Sequence, residues 1–389
     1  MKRPSRLREL GSLGIDRMAA LADSIADPAL LRLENVDTDL RPYEPALQAT
    51  RDAVGLDSAN SYLPLWGTDR LRRAVADHVT RMSGVPYDWE RSTVITAGGG
   101  NALLNIVLAT IEPGDRVLFT DPVYVGGLNR VRLMGGVPRL VPFRPSAEGW
   151  RLDLDALRAT AAEPGMRAMV IMNPSFPGGA VLTAEEWAAI AEACLERDQL
   201  LIYDAVTERI LYDGRKVIHP ASLPGMAERT VTIGSVSKEL RMIGWRVGWI
   251  VGPPEIVADA TLIGMANVSG QVGFAMDAAA LALQAPEEDM RSAVAEWERR
   301  RDLLLNELKG IVPVVPPHGG WTMMFDVSVL GMSGEEASRR VLERGRIVAT
   351  AMQNWGTSGT ARYLRFVFSN EPCHRLEGIG ERVRQSLQD

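Results

Sequence analysis

Short apolar runs alternate with segments of helical periodicity along the first two thirds of the chain. Between the runs lie segments such as residues 184–197, whose apolar positions recur at the spacing of a helix face. The runs have strand length and occupy residues 116–120, 168–172, 200–203, 230–233 and 247–251. This alternation is typical of an α/β domain with a mostly parallel sheet.

The pattern changes after residue 286. A long charged helix is predicted over residues 287–308 and is followed by strand-like runs separated by turns that contain Gly and Pro. The later runs occupy residues 312–315, 321–327 and 363–368. We therefore predict a smaller α+β lobe here. The first residues have helical spacing without a strand-like run, so we expect an arm that packs on this lobe. The predicted domains are a large one over 44–285 and a small one formed by 1–43 and 286–389.

Composition narrows the class of protein. The chain has 389 residues, of which 46% are hydrophobic, and its net charge of -6 gives no electrostatic reason to expect nucleic acid or an anionic membrane as partner. Only Cys194 and Cys373 are present, and the four histidines lack metal-ligand spacing, so we predict neither a disulfide framework nor a metal site. No apolar run reaches the ~18 residues of a membrane span. We expect a cytoplasmic protein that acts on a small molecule.

One segment joins an amine nucleophile to phosphate-binding groups. Ser235-Val-Ser237-Lys238 is followed, eight residues after the lysine, by Arg246 in a Gly-Trp-Arg-Val-Gly-Trp stretch. A lysine that forms a Schiff base needs its carbonyl partner held still, and short hydroxyls with an arginine fork would hold a phosphate on that partner. The combination points to pyridoxal phosphate. The alternative is that Lys238 and Arg246 are ordinary surface charges.

Three further segments fit a phosphate cofactor at the carboxyl ends of the predicted strands. Gly99 and Gly100 lie between a strand-like run and a helical segment, where glycine lets backbone N–H groups approach an anion. Tyr124 follows the next strand and is placed to stack on a planar ring. Asp204 ends a buried run, where a carboxylate needs a cationic partner such as a protonated pyridine nitrogen. Taken singly, each has a plain alternative as a turn, a core residue or a helix cap.

The order of these segments resembles the aminotransferase class I/II family, the pyridoxal-phosphate enzymes of fold type I, over nearly the whole chain. The resemblance implies that Lys238 is the Schiff-base lysine and the general base for the Cα proton, that Asp204 is the partner of the pyridine nitrogen, and that Tyr124 stacks on the ring. The phosphate contacts that it implies are Gly99, Gly100, Ser235, Ser237, Arg246 and, from a neighbouring subunit, Tyr62 in Tyr-Leu-Pro-Leu-Trp-Gly. It also implies that Arg365 clamps the substrate α-carboxylate, and that the enzyme is a homodimer with its active site at the subunit interface.

Two positions depart from the family's pattern. Asn173-Pro-Ser-Phe176-Pro-Gly-Gly resembles Asn-Pro-x-Asn-Pro-Thr-Gly, but Phe176 stands where the second asparagine usually contacts the cofactor's phenolic oxygen. Thr207 stands where a tyrosine usually makes the other contact, while Asn173 is kept and is assigned to the substrate. Fewer donors stabilise a phenolate less. The predicted function is an aminotransferase acting on an α-amino acid and a keto acid; the alternative is a lyase, cyclase or other β- or γ-eliminating enzyme.

Two remaining observations concern regulation and substrate. A regulatory protein built on this fold would need a DNA-binding head with helix–turn–helix character and a basic face, and we do not favour that role. No Lys or Arg occurs over residues 247–289, a region where relatives specific for dicarboxylates commonly supply an arginine from the partner subunit. We therefore expect a donor amino acid that is not a simple dicarboxylate.

Overall fold

The computed structural model describes residues 4–11 and 14–388. The strands are β1 (Leu31–Arg32), β2 (Thr93–Thr96), β3 (Arg116–Asp121), β4 (Val137–Ser146), β5 (Gly149–Leu152), β6 (Met166–Met172), β7 (Leu200–Asp204), β8 (Thr230–Ser235), β9 (Gly248–Val251), β10 (Val314–Val315), β11 (Thr322–Asp326), β12 (Ile347–Val348), β13 (Thr350–Ala351) and β14 (Tyr363–Val367). The α-helices are α1 (Ile15–Asp23), α2 (Glu44–Val54), α3 (Asp69–Ser83), α4 (Trp89–Ser92), α5 (Gly99–Thr110), α6 (Val125–Leu133), α7 (Leu154–Ala161), α8 (Ala184–Glu196), α9 (Pro254–Asn267), α10 (Gly273–Leu283), α11 (Glu287–Leu308), α12 (Gly334–Glu343), α13 (Cys373–Leu376) and α14 (Ile379–Leu387).

The larger sheet has the strand order β2-β9-β8-β7-β6-β3-β4-β5. The strands from β4 through β3, β6 and β7 to β8 are parallel. Strands β9 and β5 run in the opposite direction, and β2 pairs antiparallel with β9 and so has the direction of the parallel strands. The prediction of an α/β fold with a mostly parallel sheet is confirmed. Helices cover both faces, which is why the central strands are continuous apolar runs rather than alternating ones.

Alternation along β7 shows how the two faces are filled. Leu201 and Tyr203 belong to the core cluster that contains Trp187 of α8, whereas Ile202 packs into the opposite cluster with Ile106 of α5. Helix α8 starts at a capping box in which Thr183 and its partner three residues later bond each other's backbone N–H groups. The sheet is therefore a rigid platform, and the residues at its carboxyl edge are held by buried strands.

A second sheet, of order β10-β11-β14-β13, is antiparallel. Its apolar face packs against the long helix α11 and against α12 and α14, through residues such as Leu304, Val341, Phe366 and Val383. The helix predicted over residues 287–308 is α11, with the same bounds. This part of the chain has the expected α+β character.

The expectation that the N-terminal arm lacks a strand was wrong, because β1 pairs in parallel with β12. Two residues are too short to give an apolar run, so the pairing has no sequence signal. In α1, Met18 and Ala22 pack with Leu342 and Val348. Residues 1–3, 12, 13 and 389, which belong to the predicted arm and small domain, lie outside the described residues. Among the described helices, none has the length and apolarity needed to cross a bilayer.

Candidate active site

A cavity of about 400 Å³ opens at the carboxyl ends of β6, β7 and β8, where residues of the arm and of the second sheet's connections close it. Parallel strands bring their carboxyl ends to one edge of a sheet, and ligand sites of α/β folds lie at that edge. The predicted site residues that line the cavity are Gly99, Gly100, Tyr124, Phe176, Asp204, Thr207, Ser235, Ser237, Lys238 and Arg246.

Lys238 follows β8 and reaches into the cavity. Its Nζ donates a hydrogen bond to the carbonyl oxygen of Val36 at 2.7 Å and lies 5.1 Å from the centroid of the Trp321 ring. Burial lowers the pKa of Lys238 to about 8, and this effect outweighs the opposing attraction of Asp37. A lysine with such a pKa is partly neutral near physiological pH, so it is able to act as a nucleophile or a base.

Asp204 ends β7, is partly buried, and its carboxylate accepts one hydrogen bond, from the backbone N–H of Val206 at 3.3 Å. Burial raises the pKa of Asp204 to about 6, against the weaker effects of that N–H and of Arg130. Within the described chain, no Lys, Arg or His forms an ion pair with this carboxylate. A cationic ring nitrogen in the cavity would supply the missing partner.

Hydroxyl groups and a guanidinium form a candidate anion site beside Lys238. Ser235 Oγ donates to Ser237 Oγ at 2.8 Å, and Arg246 Nη1 lies 3.5 Å from Ser237 Oγ while donating to the carbonyl oxygen of Ile243 at 2.8 Å. No carboxylate of residues 4–11 or 14–388 pairs with Arg246. A phosphate would provide an anionic partner for Arg246.

Glycines allow the start of α5 to approach Arg246. Gly98 has a φ of 85°, and a Cβ built on it would lie 2.7 Å from Arg246 Nη2. A Cβ on Gly99 would lie 3.0 Å from a methyl carbon of Val206. The first N–H groups of a helix have no intrahelical acceptor and favour an anion. The helix start, the hydroxyls and Arg246 thus form one cradle that suits a phosphate.

Phe176 and Thr207, the two residues that depart from the family's pattern, both line the cavity. Tyr124 and Phe176 meet edge to face, with ring centroids 6.1 Å apart. Thr207 Oγ1 donates to the carbonyl oxygen of Pro174 at 3.4 Å. At positions 176 and 207 the cavity therefore presents a ring and a hydroxyl already engaged with the backbone.

A buried ion pair links the segments that follow Asp204 and Lys238. Glu239 accepts two hydrogen bonds from Arg209, one from the backbone N at 2.8 Å and one from Nε at 2.6 Å. Glu208 lies in the same buried cluster, and burial raises the pKa of both carboxyl groups. One carboxylate thus fixes the relative position of two loops that carry site residues.

Three predicted site residues do not line the cavity. Tyr62 is 91% exposed, and Asn173 is buried with its Oδ1 accepting from the backbone N–H of Leu182 at 2.8 Å. Arg365 is completely buried, and burial lowers its pKa to about 9. The roles assigned to these residues stay predictions.

Sequence reasoning missed several residues that the structure brings to the cavity. Arg130 donates from Nε to the carbonyl oxygen of Gly100 at 2.7 Å and from Nη1 to that of Gly126 at 2.6 Å. The position of Arg130 in the helix that follows Tyr124 is the sequence feature that could have predicted it as a site residue. Val36 acts through its carbonyl oxygen, which has no sequence signal at all.

Among the described residues no cluster of potential metal ligands occurs. The donor set of the cavity fits pyridoxal phosphate.

Comparison with known proteins gives a consistent result. Residues 33–376 match the family model described as aminotransferase class I and II. The chain is 34% identical over 364 residues to the arginine–pyruvate transaminase of Pseudomonas aeruginosa, covering 92% of this chain and 91% of that protein. It is 31% identical to aromatic-amino-acid aminotransferase 2 of Thermococcus litoralis, covering 100% of this chain and 97% of that protein.

The solved structures that resemble this chain are also aminotransferases. The N-succinyldiaminopimelate aminotransferase from Mycobacterium tuberculosis superposes with a TM-score of 0.92 at 31% identity, covering 99% of this chain and 100% of that one. The fold is that of the fold type I aminotransferases, as the resemblance implied. These relatives support transamination and do not support the alternative of a lyase or cyclase.

Proposed function

The chain belongs to the aminotransferase class I and II family and is an aminotransferase that acts on amino acids; on this premise we propose that it binds pyridoxal phosphate in the cavity through Lys238. When bound, this cofactor supplies a carbonyl for the donor's amino group and a ring that accepts electrons from Cα.

The protein's residues have separate roles in this proposal. Ser235, Ser237 and Arg246, with the start of α5, hold the phosphate. Asp204 accepts a hydrogen bond from the protonated ring nitrogen and keeps the proton there. The Nζ of Lys238 would take the proton from the donor's Cα and would deliver it to the carbonyl carbon of the cofactor, the carbon to which the amino group becomes attached. Arg365 binds the donor's α-carboxylate.

One observation carries the proposal: a lysine and an aspartate, both partly buried and both with perturbed pKa values, face the same cavity. Burial lowers the pKa of Lys238 to about 8 and raises that of Asp204 to about 6. Such shifts are unfavourable for stability, and perturbed pKa values of this kind cluster at functional sites. The anion cradle next to Lys238 supports a ligand that carries a phosphate.

The test follows the absorption spectrum of the purified protein while single amino acids are added without keto acid. We expect the yellow colour to bleach as one keto acid forms per site, and we expect Lys238→Ala to show neither change. Ammonia release with the colour retained over many turnovers would contradict transamination. A colourless preparation that does not bind added pyridoxal phosphate would contradict the cofactor assignment.

For the donor, we propose an amino acid with a neutral or cationic side chain. Residues 247–289 contain no Lys or Arg, and Asp16 of α1 lies at the exposed side of the cavity, where a carboxylate repels an acidic side chain. A relative that matches most of the chain is named for arginine. Arginine with pyruvate is therefore the first pair to assay, and efficient turnover of aspartate with 2-oxoglutarate would refute the proposal.

We further propose a homodimer in the cytoplasm. Exposed apolar side chains are found on α9, on the turn after it, at the start of α10 and at Tyr62, and apolar surface of this kind favours an interface with a second chain. They are Tyr62, Leu262, Met265, Val272 and Phe274. Light scattering should give twice the chain mass, and a monomer that retains full activity would refute the dimer.

The two free cysteines are compatible with a reducing compartment such as the cytoplasm, and cell fractionation tests this location.

A further inference from the structure

Arg365 has unused hydrogen-bonding capacity in a fully buried position. Leu364 and Phe366, its neighbours on β14, pack into the core beside α11, so Arg365 points to the opposite face of the sheet. Its Nη2 donates to the carbonyl oxygen of Glu34 and, at 3.0 Å, to Thr350 Oγ1. Its Nε and Nη1 have no partner among the described residues. Buried donors without an acceptor are rare and costly, which indicates that an acceptor binds here.

Two aromatic rings cover the guanidinium. Arg365 Cζ lies 5.3 Å from the ring centroid of Phe176 and 5.0 Å from that of Trp355. Trp355 is fully buried, whereas Phe176 is only partly buried and lines the cavity. Arg365 is not among the described residues that line the cavity. The Phe176 ring therefore stands between the cavity and the arginine.

The backbone around Phe176 is firmly held. The backbone N of Ser175 donates to the carbonyl oxygen of Ala180 at 2.7 Å, and the backbone N of Ala180 donates back to Ser175 Oγ at 3.0 Å. On the other side of the same loop, Asn173 Oδ1 accepts from a backbone N–H. With the backbone anchored at both sides, side-chain rotation is the route by which the ring would move.

We propose that Phe176 is an aromatic gate that covers Arg365 in the absence of a carboxylate ligand and rotates away when the donor's α-carboxylate binds. The inference rests on the proposed function, because it takes Arg365 as the residue that binds the carboxylate. The carboxylate accepts hydrogen bonds from donors that lack a partner while the ring is closed, so binding offsets the loss of the cation–π contact. Phe176 then determines how readily a carboxylate reaches Arg365.

The gate has a measurable consequence for affinity. A ligand that binds only the open state has an apparent Kd raised by the inverse of the open fraction. The strength of a cation–π contact corresponds to a closed state favoured by about 2-fold to about 30-fold. Phe176→Leu keeps an apolar side chain but removes the aromatic face, so it should tighten carboxylate binding and speed association by a factor in this range.

The experiment uses the full-length protein loaded with pyridoxal phosphate, and propanoate as probe, since propanoate has a carboxylate but no amine. Equilibrium titration and stopped-flow mixing, both followed by cofactor absorbance, give Kd and the association rate constant. Phe366→Leu is the matched control, because this ring packs on the opposite face against Phe325 at 4.8 Å. We expect Phe176→Leu to improve both constants and Phe366→Leu to change neither.

Chemical modification gives an independent reading that needs no cofactor signal. Phenylglyoxal modifies accessible arginines, and peptide mass spectrometry reports the rate at each site. Arg365 should react faster in Phe176→Leu than in the wild type, and propanoate should protect it. Arg300, which is buried and paired with Asp39 at 2.7 Å, serves as the internal control for folding and should react equally slowly in both proteins.

The results separate the gate from the function on which it rests. Arg365→Met should abolish propanoate binding, and unchanged binding in this variant would overturn the assignment of Arg365 and the gate with it. If Arg365→Met abolishes binding while Phe176→Leu leaves both constants unchanged or weakens binding, the gate is refuted and the carboxylate site stands. A failure of transamination itself would appear in the keto-acid assay, which neither binding measurement uses.

Discussion

Replacing Lys238 by methionine is expected to stabilise the cofactor-free protein at neutral pH, although it removes the residue proposed to bind the cofactor. The pKa of Lys238 falls from 10.5 to about 8 on folding because burial disfavours the ammonium form. Between these two pKa values the unfolded chain binds a proton that the folded chain does not, so stability rises with pH in this window. Below the folded-state pKa both forms are protonated, and the folded protein bears the full penalty.

The size of the effect follows from the shift. The penalty is about 3 kcal/mol at pH 7 and falls to about 1 kcal/mol at pH 9.5. Methionine removes this penalty but also removes the hydrogen bond to Val36, which contributes about 1 kcal/mol. The variant should therefore be more stable than the wild type by about 2 kcal/mol at pH 7, and the two should be nearly equal at pH 9.5.

Urea unfolding at both pH values, with equal protein concentrations and no cofactor, measures this difference. Lys216→Met serves as the control, because Lys216 is exposed and its replacement should give the same difference in stability at the two pH values. If the advantage of Lys238→Met changes by less than about 0.5 kcal/mol between the two pH values, the lysine is not desolvated as the structure indicates and the reasoning fails.

Three further predictions concern the cradle and the buried charges. Gly98→Ala should weaken pyridoxal phosphate binding by about 10-fold or more, measured by absorbance titration, because the new methyl group displaces the Arg246 guanidinium and the φ is strained. Glu239→Ala should destabilise the protein by about 3 kcal/mol in urea unfolding, because it leaves Arg209 buried without its partner. Asp204→Asn should stabilise the cofactor-free protein by up to about 3 kcal/mol at pH 7, since burial raises the pKa of the carboxyl group to about 6. This gain in stability should vanish as the pH falls towards 3.8. The same variant should slow the half-reaction with an amino acid by at least about 100-fold, measured by stopped-flow absorbance.

The sequence was sufficient for the fold because the signals are local. The apolar run at residues 200–203 became β7, which is buried on both faces, and the helix predicted over 287–308 has the observed bounds. The parallel arrangement then requires the residues that end these strands to meet at one edge. For this reason the sequence alone predicts that Asp204, Ser235 and Lys238, which are separated in the chain, lie at one edge of the sheet.

Other features depended on contacts that no sequence pattern encodes. From the residue pattern alone we predicted the side chains of the site: a lysine, an aspartate, an arginine proposed to bind phosphate, and a phenylalanine in place of an amide. Three contacts became visible only in the folded chain: the carbonyl oxygen of Val36 meets Lys238, β1 pairs with β12, and Phe176 covers Arg365. These contacts use backbone atoms common to every residue, or join side chains far apart in the chain, so they exist only once the two sheets and the arm have packed together.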